Sequence, residues 1–75
     1  MKLSEIQPGN TVTIRVLDGL SSDIRKKLMV MGLLPNTDVK VIRRAPMGDP
    51  LQVEVRGVSV AVRETIAQKI EVERV

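Results

Sequence analysis

The sequence predicts a mainly β domain, a small, closed or nearly closed barrel of about five antiparallel strands with one short helix. Two observations support this fold class. Apolar and polar residues alternate in several separate segments, which is the pattern of strands that bury one face. Glycine and proline lie between those segments, where tight turns are expected. Closure of the sheet is favoured because it removes free strand edges, which promote aggregation.

The predicted strands share one design, in which valine, isoleucine or leucine occupies every second position. In the first strand, over residues 11–17, Val12, Ile14 and Val16 lie on one face. The same alternation predicts further strands around Val39 and Val41, across 51–55, across 58–62 with Val58, Val60 and Val62 inward, and across 70–75. A chain of 75 residues is expected to form a single domain, residues 1–75, around one apolar core.

One segment, residues 22–31, breaks this alternation and predicts the helix. Its apolar residues recur at helical spacing, at Ile24, Leu28 and Met31. Ser21 or Ser22 can cap the first turn. Gly32 follows the last apolar residue, and glycine adopts the left-handed conformation at a helix C-terminus without a Cβ clash. Such an end places Leu33 against Leu28.

A second helical turn is predicted over residues 63–69, where Ile66 and Ala67 close one end of the barrel. Leu3 and Ile6 are expected to close the other end. Two turns complete the layout: a type II turn at Pro35-Asn36, in which asparagine takes a positive φ, and a tight hairpin at Gly57.

The segment from Ala45 to Pro50 predicts a stiff loop that projects between two strands. Two prolines in six residues cannot pair as a central strand. One interpretation is that Pro46 and Pro50 only shape the hairpin. The other is a preordered contact surface, because proline and Met47 offer apolar area at little ordering cost.

The chain has no histidine and no cysteine, which argues against catalysis and against a zinc or ferrous iron site. No catalytic, cofactor-binding or metal-binding residue is predicted. Glu71 and Glu73 share a strand face and could hold a hard cation weakly, but solvated charges are the commoner arrangement. Arg43 and Arg44 are interpreted as a solvated strand end rather than an anion site.

The composition also limits the partners. A net charge of +3 without a single aromatic residue argues against nucleic-acid binding, since bases stack on aromatic side chains. No run approaches the roughly 18 apolar residues of a membrane span, so no direct membrane insertion is expected. The lack of cysteine in so small a domain favours a cytoplasmic location.

Two runs carry a resemblance to a known family. Met31-Gly32-Leu33-Leu34-Pro35 and Ala45-Pro46-Met47-Gly48-Asp49-Pro50, with Val53 to Gly57 downstream, resemble the FeoA family of bacterial ferrous iron uptake, which is related to the C-terminal domains of some iron-dependent repressors. The resemblance extends from about Leu3 to Val72. It implies an SH3-like barrel and a role as accessory partner of the membrane GTPase FeoB. Asn36 stands where the family usually has glycine, a mild departure.

The expected function is that of a non-enzymatic accessory protein that docks on FeoB at the cytoplasmic face and modulates it. The expected contact residues come from the Met29 to Pro35 stretch and the 45–50 loop: Met29, Leu33, Leu34, Pro35, Ala45, Pro46 and Met47. The alternative for these side chains is that they belong to the core. Weak self-association is also expected from exposed Met and Leu. The alternative function is a free-standing relative of the repressor domain that modulates a metal-dependent transcription regulator.

Overall fold

The computed structural model describes residues 1–75 and contains one five-stranded antiparallel sheet in the order β4-β3-β2-β1-β5. A 3₁₀ turn at Leu3–Glu5 comes first. The other elements follow as β1 Thr11–Val16, α1 Ser22–Val30, β2 Asp38–Arg44, β3 Leu51–Val55, β4 Val58–Val62, α2 Glu64–Ala67 and β5 Glu71–Arg74. The predicted mainly β class with one main helix is confirmed.

The core contains 18 buried residues, all of them valine, leucine, isoleucine or alanine, and no polar side chain is buried. Branched aliphatic side chains suit this sheet because they pack well on a pleated surface. The inward faces predicted for β2 and β3 are confirmed, with Val39, Val41 and Val53 at most 1% exposed.

Two valines leave the inward faces predicted for them. Between Ile14 and Val16 the pairing of β1 with β5 shifts register, which is a β-bulge. The extra residue turns Val16 outward to 42% exposure, and Leu17 is buried in its place. Val58 is 57% exposed although its pair Val55 is only 1% exposed, because Val58 begins the edge strand β4 and no further strand lies beyond it.

The ends of α1 follow from local chemistry. Ser21 Oγ accepts a hydrogen bond from the Ile24 N–H, so Ser21 is the cap. At the other end Gly32 has φ +94, its N–H donates to the Met29 carbonyl, and the Leu33 N–H donates to the Leu28 carbonyl. These bonds define a Schellman motif. The predicted positive φ of Gly32 is confirmed.

The predicted turns are confirmed as well. Asn36 has φ 67, and the Thr37 N–H donates to the Leu34 carbonyl, as a type II turn requires. Arg56 and Gly57 both have positive φ between β3 and β4, which is the pattern of a two-residue type I′ hairpin.

The N-terminal turn and α2 close the same end of the barrel, and the prediction that they close opposite ends is wrong. The Leu3 N–H donates to the Ile70 carbonyl just after α2. The Arg44 guanidinium joins the two segments, since it donates to the Ser4 carbonyl at 2.7 Å and to Glu64 Oε2 at 2.6 Å. Leu3 and Ala67 are both fully buried there.

Residues 1–3 cover the outer edge of β5. The Val72 N–H donates to the Met1 carbonyl, and Lys2 forms a β-bridge with Glu71. The Glu71 carboxylate also pairs with Lys2 Nζ at 2.6 Å and with the Met1 amino group at 2.8 Å. The hydrogen bond from Lys2, followed by that from the amino group, lowers the pKa of Glu71 to about 2.

We expect Gly32→Val to destabilise the fold by about 1 kcal/mol or more, because a β-branched residue is forced into a left-handed conformation. A Cβ at this position would lie 3.8 Å from Val55, an ordinary contact, so the cost comes from the backbone and not from a clash. Thermal and urea unfolding of this variant and of the parent measure the loss in the free energy of unfolding. Gly32→Asn is the matched control and should lose less, because asparagine tolerates positive φ. Equal melting of Gly32→Val and the parent would contradict the helix end described here.

We expect Lys2→Met to raise the pKa of Glu71 toward its ordinary value, as measured by NMR titration of the Glu71 carboxyl carbon. A carboxylate whose pKa is lowered in the folded state contributes stability above its unfolded pKa, and loses that contribution as the pH falls from about 4.5 toward 2. The variant should therefore lose stability at neutral pH and be less sensitive to acid in that interval. Lys26→Met, which removes an unpaired lysine, serves as control. An unchanged Glu71 titration in Lys2→Met would show that Lys2 does not hold this carboxylate.

Candidate functional site

The structure contains no group of three or more acidic, histidine or cysteine side chains that could hold a metal ion. Glu71 and Glu73 do not form a shared cation site, because Glu71 pairs with Lys2 and Glu73 pairs with Arg15 at 3.0 Å. The features that stand out beyond the core are exposed apolar side chains. They form two patches and border one groove.

The first patch lies at the end of α1 and is called the helix-end patch: Met29, Val30 and Met31, with Leu34 and Pro35 just after them. Val30 is 88% exposed, and the two methionines are 41% and 43% exposed. Leu34 is half-buried and Pro35 is exposed. The patch forms because α1 buries only Leu28 of its own residues. Met31 was assigned to the buried helix face by its spacing, and the structure leaves it at the surface.

Leu33 does not belong to this patch. Its side chain is fully buried in the core, so it cannot contact a partner, and its prediction as a contact residue is wrong. The physical reason is the Schellman motif, which turns the residue after Gly32 back toward the helix and onto Leu28.

The second patch is the tip of the β2-β3 loop and is called the loop tip: Ala45, Pro46 and Met47. A turn closes it, since the Gly48 N–H donates to the Ala45 carbonyl at 2.7 Å. Met47 is 92% exposed, Pro46 is exposed and Ala45 is half-buried. The projecting loop predicted from the two prolines is confirmed, with Pro46 and Met47 exposed at its tip.

The base of this loop is held by Arg44, which is half-buried and is not the solvated strand end predicted from the sequence. Besides Ser4 and Glu64, its guanidinium reaches the Gly48 carbonyl at 3.4 Å. On the other side of the loop, Asp49 Oδ1 accepts a hydrogen bond from the Glu64 N–H at 3.0 Å. The loop tip therefore projects from a base tied to two other segments.

The two patches do not form one continuous surface. β2 connects them, because the turn after Pro35 enters it and the loop that begins at Ala45 leaves it. A strand of seven residues spans about 20 Å at about 3.3 Å per residue, and the longest extent of the molecule is 29 Å. The patches therefore lie near opposite ends of one strand.

A groove runs between α1 and the β4-α2 corner, with a volume of about 390 Å³. Its floor is apolar and its rim carries two cations. The lining residues used below are Ile24, Lys27, Met31, Ala61, Arg63 and Ile66. Sequence reasoning missed this groove, because only the strand order places β4 at the edge of the sheet. Exposed Val58 and the contacts of Arg44 were missed for the same reason, since both depend on pairing between distant segments.

None of the helices is long and apolar enough to cross a membrane. The longest, α1, has nine residues.

Comparison with known proteins places this geometry in a family. The model of the FeoA domain matches residues 1–74. A curated relative, the "Fe(2+) transport protein A/Fe(2+) transporter FeoB fusion protein" of Porphyromonas gingivalis, is 33% identical over 73 residues, which are 97% of this chain and 8% of the relative. The chain thus spans a small part of that fusion protein.

Solved structures agree with this assignment. The solution structure of FeoA from Chlorobium tepidum is 33% identical, with a TM-score of 0.95, and is matched over 100% of this chain and 70% of that one. A zinc complex of Stenotrophomonas maltophilia FeoA, described as a prokaryotic SH3 domain protein, is 25% identical, with a TM-score of 0.82 over 97% of this chain and 89% of that one.

The same fold occurs as part of a repressor. The crystal structure of IdeR from T. acidophilum is 27% identical, with a TM-score of 0.88 over 100% of this chain and 34% of that one. The predicted SH3-like fold is confirmed by these neighbours. Because the FeoA model covers residues 1–74 and the relatives match over nearly the whole chain, this chain belongs to the FeoA family.

Proposed function

We propose that this protein is a non-enzymatic accessory component of ferrous iron transport, which docks on a FeoB-type membrane GTPase and modulates it. The observation that carries this proposal is the fusion protein of P. gingivalis, in which a domain like this chain is joined to FeoB. A covalent fusion keeps two domains at high effective concentration, and a contact surface on this domain would stabilise the same association.

The two patches supply the docking surface in this proposal. Met29, Leu34 and Pro35 contribute at the helix end together with Val30, and Ala45, Pro46 and Met47 contribute at the loop tip. Methionine adapts to irregular partner surfaces, and proline adds apolar area without ordering cost. Because the patches lie near opposite ends of β2, the partner contacts this domain at two separate points, which a large GTPase can span.

Iron passes through the partner in this mechanism, and the accessory domain, residues 1–75, carries neither cofactor nor catalytic group. It acts at the cytoplasmic face of the membrane, where the GTPase lies, and reaches the membrane only through that partner. The domain offers apolar contact area, and the partner supplies both nucleotide chemistry and the ion path.

The second candidate is a relative of the repressor domain that modulates a metal-dependent transcription regulator, favoured by the similarity to IdeR. The two functions differ in partner. Capture of the soluble GTPase region supports transport, whereas capture of a DNA-binding regulator without the GTPase supports the alternative.

We expect Val30→Asp and Met47→Asp each to weaken binding to the soluble region of the FeoB-type GTPase about tenfold or more, because a carboxylate in an apolar contact loses water without gaining a partner. Both side chains are almost fully exposed, so the fold should remain intact. Titration against the immobilised GTPase region measures binding, and thermal melts verify folding.

Val75→Asp is the matched control, because Val75 is 79% exposed and belongs to neither patch. It should bind like the parent. If both test variants bind as tightly as the control, the docking surface lies elsewhere. If only one of them weakens binding, the contact is made at one end of β2 and the two-point arrangement is wrong.

We also expect the purified protein to bind neither Fe(II) nor Zn(II) tightly, because its only ionisable oxygen ligands are scattered carboxylates and several of these are already paired with cations. Anaerobic calorimetry with each metal measures this directly. Stoichiometric uptake at sub-micromolar metal would contradict the view that iron passes only through the partner.

A further inference from the structure

The two edges of the sheet differ. Residues 1–3 cover the outer edge of β5 through backbone hydrogen bonds. β4 is the other edge, and residues 58–62 make no backbone hydrogen bond to any segment other than β3. The outer side of β4 is therefore an open row of donors and acceptors.

The hairpin register identifies the open groups. Val55 and Val58 flank a two-residue turn, so they form a hydrogen-bonded pair. Pairs in an antiparallel ladder alternate, which makes Glu54-Ser59 and Gln52-Ala61 the non-hydrogen-bonded pairs. The N–H and C=O groups of Ser59 and Ala61 consequently point away from β3 into the open edge.

β4 also lacks the features that usually protect a free edge, which are lysine, proline, inward charge or a bulge. It contains only valine, serine and alanine, and its pairing with β3 has no register shift. The bulges of this sheet occur in the pairings of β1 with β5 and of β2 with β3. β4 therefore has no bulge along its pairing with β3, and its outer edge is open.

The groove of about 390 Å³ lies beside this edge. Ile24, Met31 and Ile66 give it an apolar floor, and the small side chain of Ala61 leaves the approach to the strand open. Lys27 and Arg63 line the rim, and neither forms an ion pair. No acidic residue lines the groove, so its charge complements carboxylates.

We propose that the open edge of β4 is a strand-addition site for an extended segment of a partner protein that carries apolar side chains on one face and carboxylates beside them. The segment pairs with Ser59 and Ala61, places its apolar side chains over the groove floor, and brings its carboxylates to Lys27 and Arg63. Main-chain pairing gives affinity in this mode, and the groove and its cations give specificity. This site adjoins the helix-end patch at Met31, but it is centred on the edge of β4 and does not depend on the identity of the transport partner.

The test uses the full chain, labelled with ¹⁵N, and a capped seven-residue peptide with glutamate at positions 1 and 7, valine at 3 and 5 and serine at 2, 4 and 6, so that the carboxylates lie beside the valines on one face. Bound peptide should slow hydrogen exchange at the amides of Ser59 and Ala61 about tenfold or more, because they become hydrogen-bonded. A peptide with lysine in place of glutamate should bind about tenfold more weakly or not at all, because it meets like charges.

Two sets of variants test the mode of binding. Ala61→Pro removes an outward N–H that β3 does not use, and proline is tolerated at such edge positions. It should weaken peptide binding about tenfold, whereas Ala61→Ser, which retains both the N–H and a small side chain, should bind like the parent. The double variant Lys27→Glu with Arg63→Glu should reverse the preference between the two peptides while the edge amides remain protected, and this result does not depend on the folding of Ala61→Pro.

Several results would overturn the proposal. Unchanged exchange at Ser59 and Ala61 with millimolar acidic peptide would exclude strand addition, even if the peptide shifts signals of α1. Equal binding of the lysine peptide would exclude recognition of carboxylates. A dimer that protects the same amides without peptide would assign the edge to a second copy of this chain.

Discussion

The fold depends on the burial of a core made only of valine, leucine, isoleucine and one alanine. Without aromatic residues or disulfides, each aliphatic side chain carries a large share of the stability. Truncation of a buried leucine such as Leu33 to alanine costs about 2–5 kcal/mol, against about 4–11 kcal/mol for a whole domain of this size. The core contains only residues with few rotamers, and all four methionines lie outside it. Their side chains therefore supply exposed apolar area that a partner can contact.

Elements governed by neighbouring residues could be predicted from the sequence. The cap at Ser21, the helix end at Gly32 and the turn at Asn36 each depend on the conformation that one residue prefers. Elements governed by distant pairing could not. Val16 points outward because of the register between β1 and β5, and alternation within one strand contains no information about its partner. Arg44 bonds to segments at both ends of the chain, and a strand-terminal arginine has the same local signature whether it is clamped or solvated.

The exposed residues of the candidate site could be predicted only in part, because their exposure also depends on how distant segments pack. Met29 and Met47 are exposed, as expected for contact residues, and the core is filled by valine, leucine, isoleucine and alanine alone. The sequence predicts two roles for Leu33 that exclude each other, a partner contact and packing on Leu28, and the structure shows the buried, packing role. The contact role was predicted because Leu33 lies in the apolar run from Met31 to Pro35, which is too apolar for an ordinary solvated turn. The turn geometry at Gly32 instead directs Leu33 into the core, while Leu34 is half-buried and Pro35 is exposed.

The asymmetry of the sheet edges links the core to recognition. A small barrel with a short N-terminal segment can cover one edge, and here residues 1–3 cover β5. α1 crosses near the other edge but leaves a groove beside β4, since its own contribution to the core is limited to Leu28 with partly buried Ile24. A helix packed more deeply would fill that groove and hide the edge. Because α1 packs shallowly, Val30 is exposed in the helix-end patch and the edge of β4 is left uncovered.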